Sequence, residues 1–227
     1  MTNKKRATII YTSESHIDRF APLLKPYISQ FDFVQIVREE MLRQAEKDDG
    51  ISDDLYLKVE TLINEQFKDG AAAVLMTCST LGSIVDQMKA SNTQASIYRL
   101  DQALAEEAFN LGNQIAVFCA TKTTIEATKN LFENENCKHD QPKNFEIFLV
   151  PNAWDLFLAG EIDNYNQAIA EYVKVVTSAD NSKFDTIALA QASMDGAIPI
   201  LENFDLQVIC SPKSGIEKLV KVLGIST

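Results

Sequence analysis

The chain has 227 residues, 46% of them hydrophobic, and a formal net charge of −11. That is enough apolar material for one large domain or two small ones, and the negative balance, with no basic stripe to offset it, argues against nucleic acid and anionic membranes as partners. Four cysteines at 78, 119, 137 and 210 form no CxxC pair and only two histidines are present, so spacing offers no metal-ligand set and the thiols read as reduced. The charged start gives way to an apolar run broken between Thr12 and Asp18, too short for a secretory or membrane-spanning core, which makes a cytoplasmic location the default expectation.

In chain order, runs rich in Val and Ile predict strands at 8–11, 33–37 and 72–76, separated by amphipathic stretches that predict helices at 17–30 and 53–68. A helix over 81–88 follows the third strand. Residues 99–111 read as a crossing into a second half, which repeats the pattern with strands at 115–119, 145–150 and 186–189 and helices at 125–133 and 165–177. Residues 208–211 and a helix over 215–223 read as the return. This alternation predicts an α/β fold of two pseudo-symmetric lobes, 1–98 plus 207–227 and 99–206, each a parallel sheet flanked by helices, with an active-site cleft between them. The halves overlay at nearly constant offset, Thr12 falling on Ala120 and Cys78 on Gln191, and an ancient duplication is the simplest reading.

In open parallel sheets ligands bind beyond the carboxyl ends of the strands, so the turns there hold the candidates. Cys78 lies between a strand and a helix in Thr77-Cys78-Ser79-Thr80, where exposed N–H groups and the helix dipole favour a thiolate, a usable base or nucleophile. Its alternative fate is that of a small buried hydrophobe, but three flanking hydroxyls weigh toward function. Cys119, Cys137 and Cys210 are assigned no chemical role. Thr121, Thr123 and Thr124 open a helix and suit either a carboxylate cradle or simple capping. Ser13 and Ser15 read as caps. His16 and Glu14 are titratable and stand in a helix's first turn, where a solvated surface histidine is the expectation; Asp195 follows the Gln191 loop, where a helix dipole would account for it. Trp154 reads as packing between helix and sheet.

Three segments carry a resemblance: residues 76–80 (MTCST), 115–125 (IAVFCATKTTI) and 208–212 (VICSP), with 98–101 (YRLD) and 105–108 (AEEA) between them. Together, in this order, they resemble the aspartate/glutamate/hydantoin racemase superfamily over nearly the whole chain. The resemblance implies a cofactor-independent isomerase or related lyase, with no metal, a small carboxylic acid or cyclic amide as substrate, and a homodimer. It also implies a cysteine on each face of the substrate's α-carbon, one taking the proton and the other returning it. By motif position Cys78 matches the first cysteine and Gln191 the second, and Ser13, Ser79, Thr80, Thr121, Thr124 and Ser193 match carboxylate-contacting turns.

Gln191 departs from that pattern, because a side-chain amide neither accepts nor delivers a proton at accessible pH. One thiolate leaves three expectations: decarboxylation through an enediolate, covalent addition to an activated double bond, or racemisation with His16 or Asp195 as the second acid/base. The superfamily's one-thiol decarboxylases carry the thiol in the second loop, so this chain has the mirror arrangement. A non-catalytic carboxylate-binding or regulatory protein on the same fold is the rival expectation.

Overall fold

The computed structural model describes residues 4–91, 96–178 and 183–224. They form two compact units, Met1–Gln102 with Pro212–Thr227, and Ala103–Ser211.

The first unit runs β1 (Lys5–Tyr11), α1 (Ser15–Leu24), β2 (Phe31–Val37), α2 (Glu39–Lys47), α3 (Asp53–Lys68), β3 (Ala71–Met76), α4 (Gly82–Ser91) and β4 (Ile97–Arg99). Its strands pair in the order β2-β1-β3-β4, and every pair is parallel. Ala7 and Ile9 to Tyr11 of β1 and Ala73 to Met76 of β3 are buried, the continuous apolar pattern of central strands covered on both faces. Ile10, Val74 and Met76 pack with Leu55, Val59 and Ile63 of α3 and with Ile84 and Val85 of α4. The start of α3 is well specified: the Ser52 hydroxyl accepts from the Leu55 N–H at 3.4 Å, and Asp53 and Asp54 occupy the first turn.

The second unit runs α5 from Gln102–Leu111, β5 (Gln114–Cys119), α6 (Lys122–Asn136), β6 (Asn144–Leu149), α7 (Ala153–Leu158), α8 (Ile162–Thr177), β7 (Thr186–Leu189), a 3-10 segment (Ala192–Leu201) and β8 (Gln207–Cys210). Strand order is β6-β5-β7-β8, again all parallel, so β5, β6, β7 and β8 hold the places of β1, β2, β3 and β4. One face of this sheet packs Phe118, Ile187 and Leu189 against Tyr165, Ile169 and Val173 of α8. The other packs Val117 and Ile209 against Leu104 and Phe109 of α5 and Phe132 of α6. Trp154 is half-buried and stacks on Phe157 at 4.9 Å, in agreement with a packing role.

Several boundaries move. The helix expected over 17–30 stops at Leu24, and a 3-10 turn at Lys25–Tyr27 containing Pro26 closes it, because proline removes a helical N–H and clashes with the preceding turn. The helices expected to begin at Ile125 and Gly215 begin at Lys122 and, for α9 (Ser211–Leu223), at Ser211. Gln207–Cys210, read from the sequence as the return to the first lobe, instead pair with β7 as the fourth strand of the second sheet, and the second unit runs on to Ser211. Among the described residues no helix is long and apolar enough to cross a membrane.

Candidate active site around Cys78

Parallel register decides what meets at the carboxyl ends of the central strands. In the first sheet Ile10 pairs with Met76, so two residues further on Thr12 comes level with Cys78. The Thr77 side chain and N–H both donate to the Ile10 carbonyl, each at 3.0 Å, and fix the start of the loop. The Thr12 hydroxyl, the Thr80 hydroxyl and the backbone N–H groups of Thr80 and Leu81 all hydrogen-bond to Cys78 Sγ. Cys78 is 8% exposed, and Ser79 and Thr80 are buried beside it. The turn closes when the Gly82 N–H donates to the Ser79 carbonyl at 3.1 Å.

Burial pushes the Cys78 thiol up, and the four hydrogen bonds oppose burial without overcoming it. This revises the expectation that a helix start alone would yield a thiolate. α4 begins only at Gly82, a full turn after the cysteine, and the desolvation of a buried charge outweighs so distant a dipole. The resting group is a thiol in a nest of donors that would receive the thiolate once formed. Thr12 is the partner of Cys78 that the sequence did not single out; its signal was the register of two adjacent strands.

The second sheet builds the corresponding place differently. Phe118 pairs with Leu189, so Ala120 comes level with Gln191, and the Gln191 Oε1 accepts from the Ala120 N–H at 2.6 Å and the Thr121 N–H at 3.2 Å. Two N–H groups of the turn where a carboxylate cradle or simple capping was expected are thus filled by a side chain of the same unit. The Cys210 thiol donates to the Gln191 carbonyl at 3.4 Å, which ties the end of β8 to that loop. Ser193 is buried and its hydroxyl lies 2.8 Å from the Tyr165 hydroxyl. Thr121 is the N-cap of α6 but its side chain makes no capping bond; it lies 3.4 Å from the Thr123 hydroxyl. Thr124 is buried within the first turn.

Ser13 and Ser15 do not cap α1 either. Their hydroxyls bond each other at 2.8 Å, Glu14 stands at the cap position, and its N–H donates to the Glu39 carboxylate at 3.0 Å. His16 is not a solvated surface group: it is 8% exposed, edge-on to Tyr11 and close to Phe20, and among the described residues neither ring nitrogen has a hydrogen-bond partner. Burial, with the nearby Arg19 cation, pushes its pKa down to about 4, so the ring is neutral near pH 7 and a weak base. Asp195 lies half-buried in the first turn of the 3-10 segment. Cys119 is buried in β5 and Cys137 is exposed. Among the described residues no cluster of three His, Cys, Asp or Glu could hold a metal ion. A groove of about 1040 Å³ between α1 and β2, lined by Pro22, Ile28 and Phe33, lies toward the opposite ends of the strands from Cys78.

No protein-family model matches the sequence, and no curated protein does. Solved structures match over the whole length. Glutamate racemase isoform RacE1 from Bacillus anthracis matches with a TM-score of 0.72 and 14% identity, over 98% of this chain and 82% of that one. The aspartate racemase of Picrophilus torridus gives 0.70 and 12%, over 98% and 95%. Allantoin racemase from Klebsiella pneumoniae gives 0.63 and 12%, over 99% and 90%. The chain therefore has the fold of these racemases, two parallel four-stranded sheets flanked by helices.

Proposed function

We propose that the chain is a cofactor-independent enzyme of the racemase superfamily that acts on a small carboxylic acid or cyclic amide through Cys78. The observation that carries this reading is the nest of Thr12, Thr80 and Leu81 donors around Sγ, at the carboxyl end of a central strand. A buried cysteine that only packed would have no use for four hydrogen bonds, whereas a thiol that must carry charge transiently needs its partners in place beforehand. In the reaction the Cys78 thiolate takes a proton from the carbon next to a carboxylate or amide carbonyl, and the thiol returns it. Ser13, Ser79 and Thr80, in the same unit as Cys78, are the substrate-holding hydroxyls. Gln191 transfers no proton. His16, with its pKa pushed down to about 4, is a weak base at neutral pH and is given no proton-transfer role. With no second thiol, and with no proton-transferring role given to His16 or Asp195, proton transfer is confined to one face, with exchange, decarboxylation or covalent addition as the outcomes rather than two-thiol racemisation.

A carboxylate-binding protein without turnover is the second reading, and it rests on Gln191 Oε1 filling the Ala120 and Thr121 donors. Incubation of D- and L-aspartate, D- and L-glutamate, malonate, maleate and hydantoin in deuterated buffer separates the two. The enzyme reading predicts label at the α-carbon or product formation that is lost in Cys78→Ser and Cys78→Ala. Binding of one of these compounds with no label and no product would favour the second reading, and turnover unchanged in both variants would remove Cys78 from the mechanism.

A further inference from the structure

Three of the four donors around Cys78, the Thr80 hydroxyl and the Thr80 and Leu81 N–H groups, belong to one short turn, so whatever fixes that turn governs most of the nest. Its first end is tied to β4: Met76 pairs with Arg99, and the Leu100 N–H donates to the Met76 carbonyl at 2.9 Å. Its second end meets the same strand through a side chain. The Arg99 guanidinium lies directly against Gly82, where a Cβ would stand 2.6 Å from both Cζ and Nε. The backbone at Gly82 does not have the positive φ that favours glycine, so it is the nearby guanidinium and not the backbone conformation that crowds a side chain there.

That guanidinium has little freedom to retreat. Its Nε and Nη2 donate to the two Asp101 carboxylate oxygens at 2.7 and 2.9 Å, and Nη1 donates to Asp86, one helical turn beyond Gly82 on α4. Arg99 and Asp101 are 2% and 3% exposed. The two-pronged pair is the geometry in which a planar fork holds a fixed orientation that a lysine cannot reproduce. Two carboxylates more than neutralise the one cation, and burial and hydrogen bonds, not a charge, set the direction of the Cys78 shift.

We infer that Arg99 is a positioning residue: braced by Asp101 and Asp86, its guanidinium seats Gly82 and thereby aims the Thr80 and Leu81 N–H groups at Cys78 Sγ. It acts through the shape of the turn rather than through its charge. The inference concerns the same thiol as the proposed reaction, but it is testable without a substrate, so a failure to find turnover leaves it standing and its own failure leaves the reaction open.

The test is peptide-resolved alkylation of Cys78 by iodoacetamide against pH, in the full-length chain, with folding checked by circular dichroism. Gly82→Ala keeps every charge and displaces the turn, Arg99→Lys keeps the charge and loses the fork, and Arg99→Met loses both. All three are expected to raise the apparent Cys78 pKa by about one unit or more, roughly tenfold less thiolate at a given pH below it. Ile63→Ala, which makes a cavity in α3 and alters neither Gly82 nor Arg99, is expected to lower stability and leave the thiol pKa where it was. A wild-type pKa in folded Gly82→Ala would overturn the inference. So would a wild-type pKa in Arg99→Lys, which would make charge rather than shape the cause, or an equal rise in Ile63→Ala, which would make it a general effect of destabilisation.

Discussion

Cys78 and Gln191 occupy corresponding strand ends, and the comparison shows how one residue resets a site. At the first, a thiol accepts from Thr12 and from its own turn; at the second, an amide oxygen accepts from the N–H groups of Ala120 and Thr121. The overlay of Thr12 on Ala120 explains the difference, since alanine brings no hydroxyl and only its backbone can donate. Removing the hydroxyl in Thr12→Val strips one donor from the thiolate, and the apparent Cys78 pKa is expected to rise by about one unit in an alkylation–pH profile. An unchanged profile would mean that Thr12 contributes nothing to the nest. Gln191→Leu leaves two buried N–H groups without an acceptor, a loss of about 2–6 kcal/mol at roughly 1–3 kcal/mol for each orphaned group. Urea unfolding measures it, and Gln191→Glu, which keeps the acceptor oxygen, is expected to lose less.

At the scale of elements, the sequence made the central strands and long helices legible because their signals are local. β1, β3, β5 and β7 are dominated by buried apolar residues, and α3 announces its start with Ser52-Asp53-Asp54. The rest depended on contacts that no local pattern records. β4 has three residues and is a strand only because Val74 to Met76 pair with it. β8 looked like a return to the first lobe because its membership is decided by pairing with Thr186 to Leu189, far away in sequence. α2 is dominated by charge and shows only Met41 and Ala45 as buried anchors, too few for periodicity to stand out. The site divides the same way: Cys78 was legible from strand, polar turn and helix in succession, while Thr12 needed the register, Arg99 needed the packing of β4 under α4, and the Gln191 contacts needed the side-chain geometry.

For the molecule as a whole, His16 makes stability depend on pH with a definite sign. Its pKa is about 4 in the fold against an ordinary value of 6.5, through burial and then Arg19. Between those values the unfolded chain binds the proton and the folded chain does not. The stabilisation is therefore fully present above about pH 6.5 and is lost as pH falls toward 4, a span worth about 3 kcal/mol. His16→Phe is expected to flatten that part of the profile relative to the wild type in denaturant midpoints measured across pH 4–7, and parallel profiles would contradict the assignment.

The racemase fold and the single thiol together make a claim about stereochemistry. A two-thiol enzyme inverts its substrate, whereas the proposed reaction, with glutamine at 191, works on one face. The most direct measurement follows single enantiomers of aspartate and glutamate in deuterated buffer, with chiral separation and mass detection, for the wild type and Cys78→Ser. The account predicts α-deuterium entering with retained configuration, dependent on Cys78; equal accumulation of both enantiomers, or label entering at the same rate in Cys78→Ser, would contradict it.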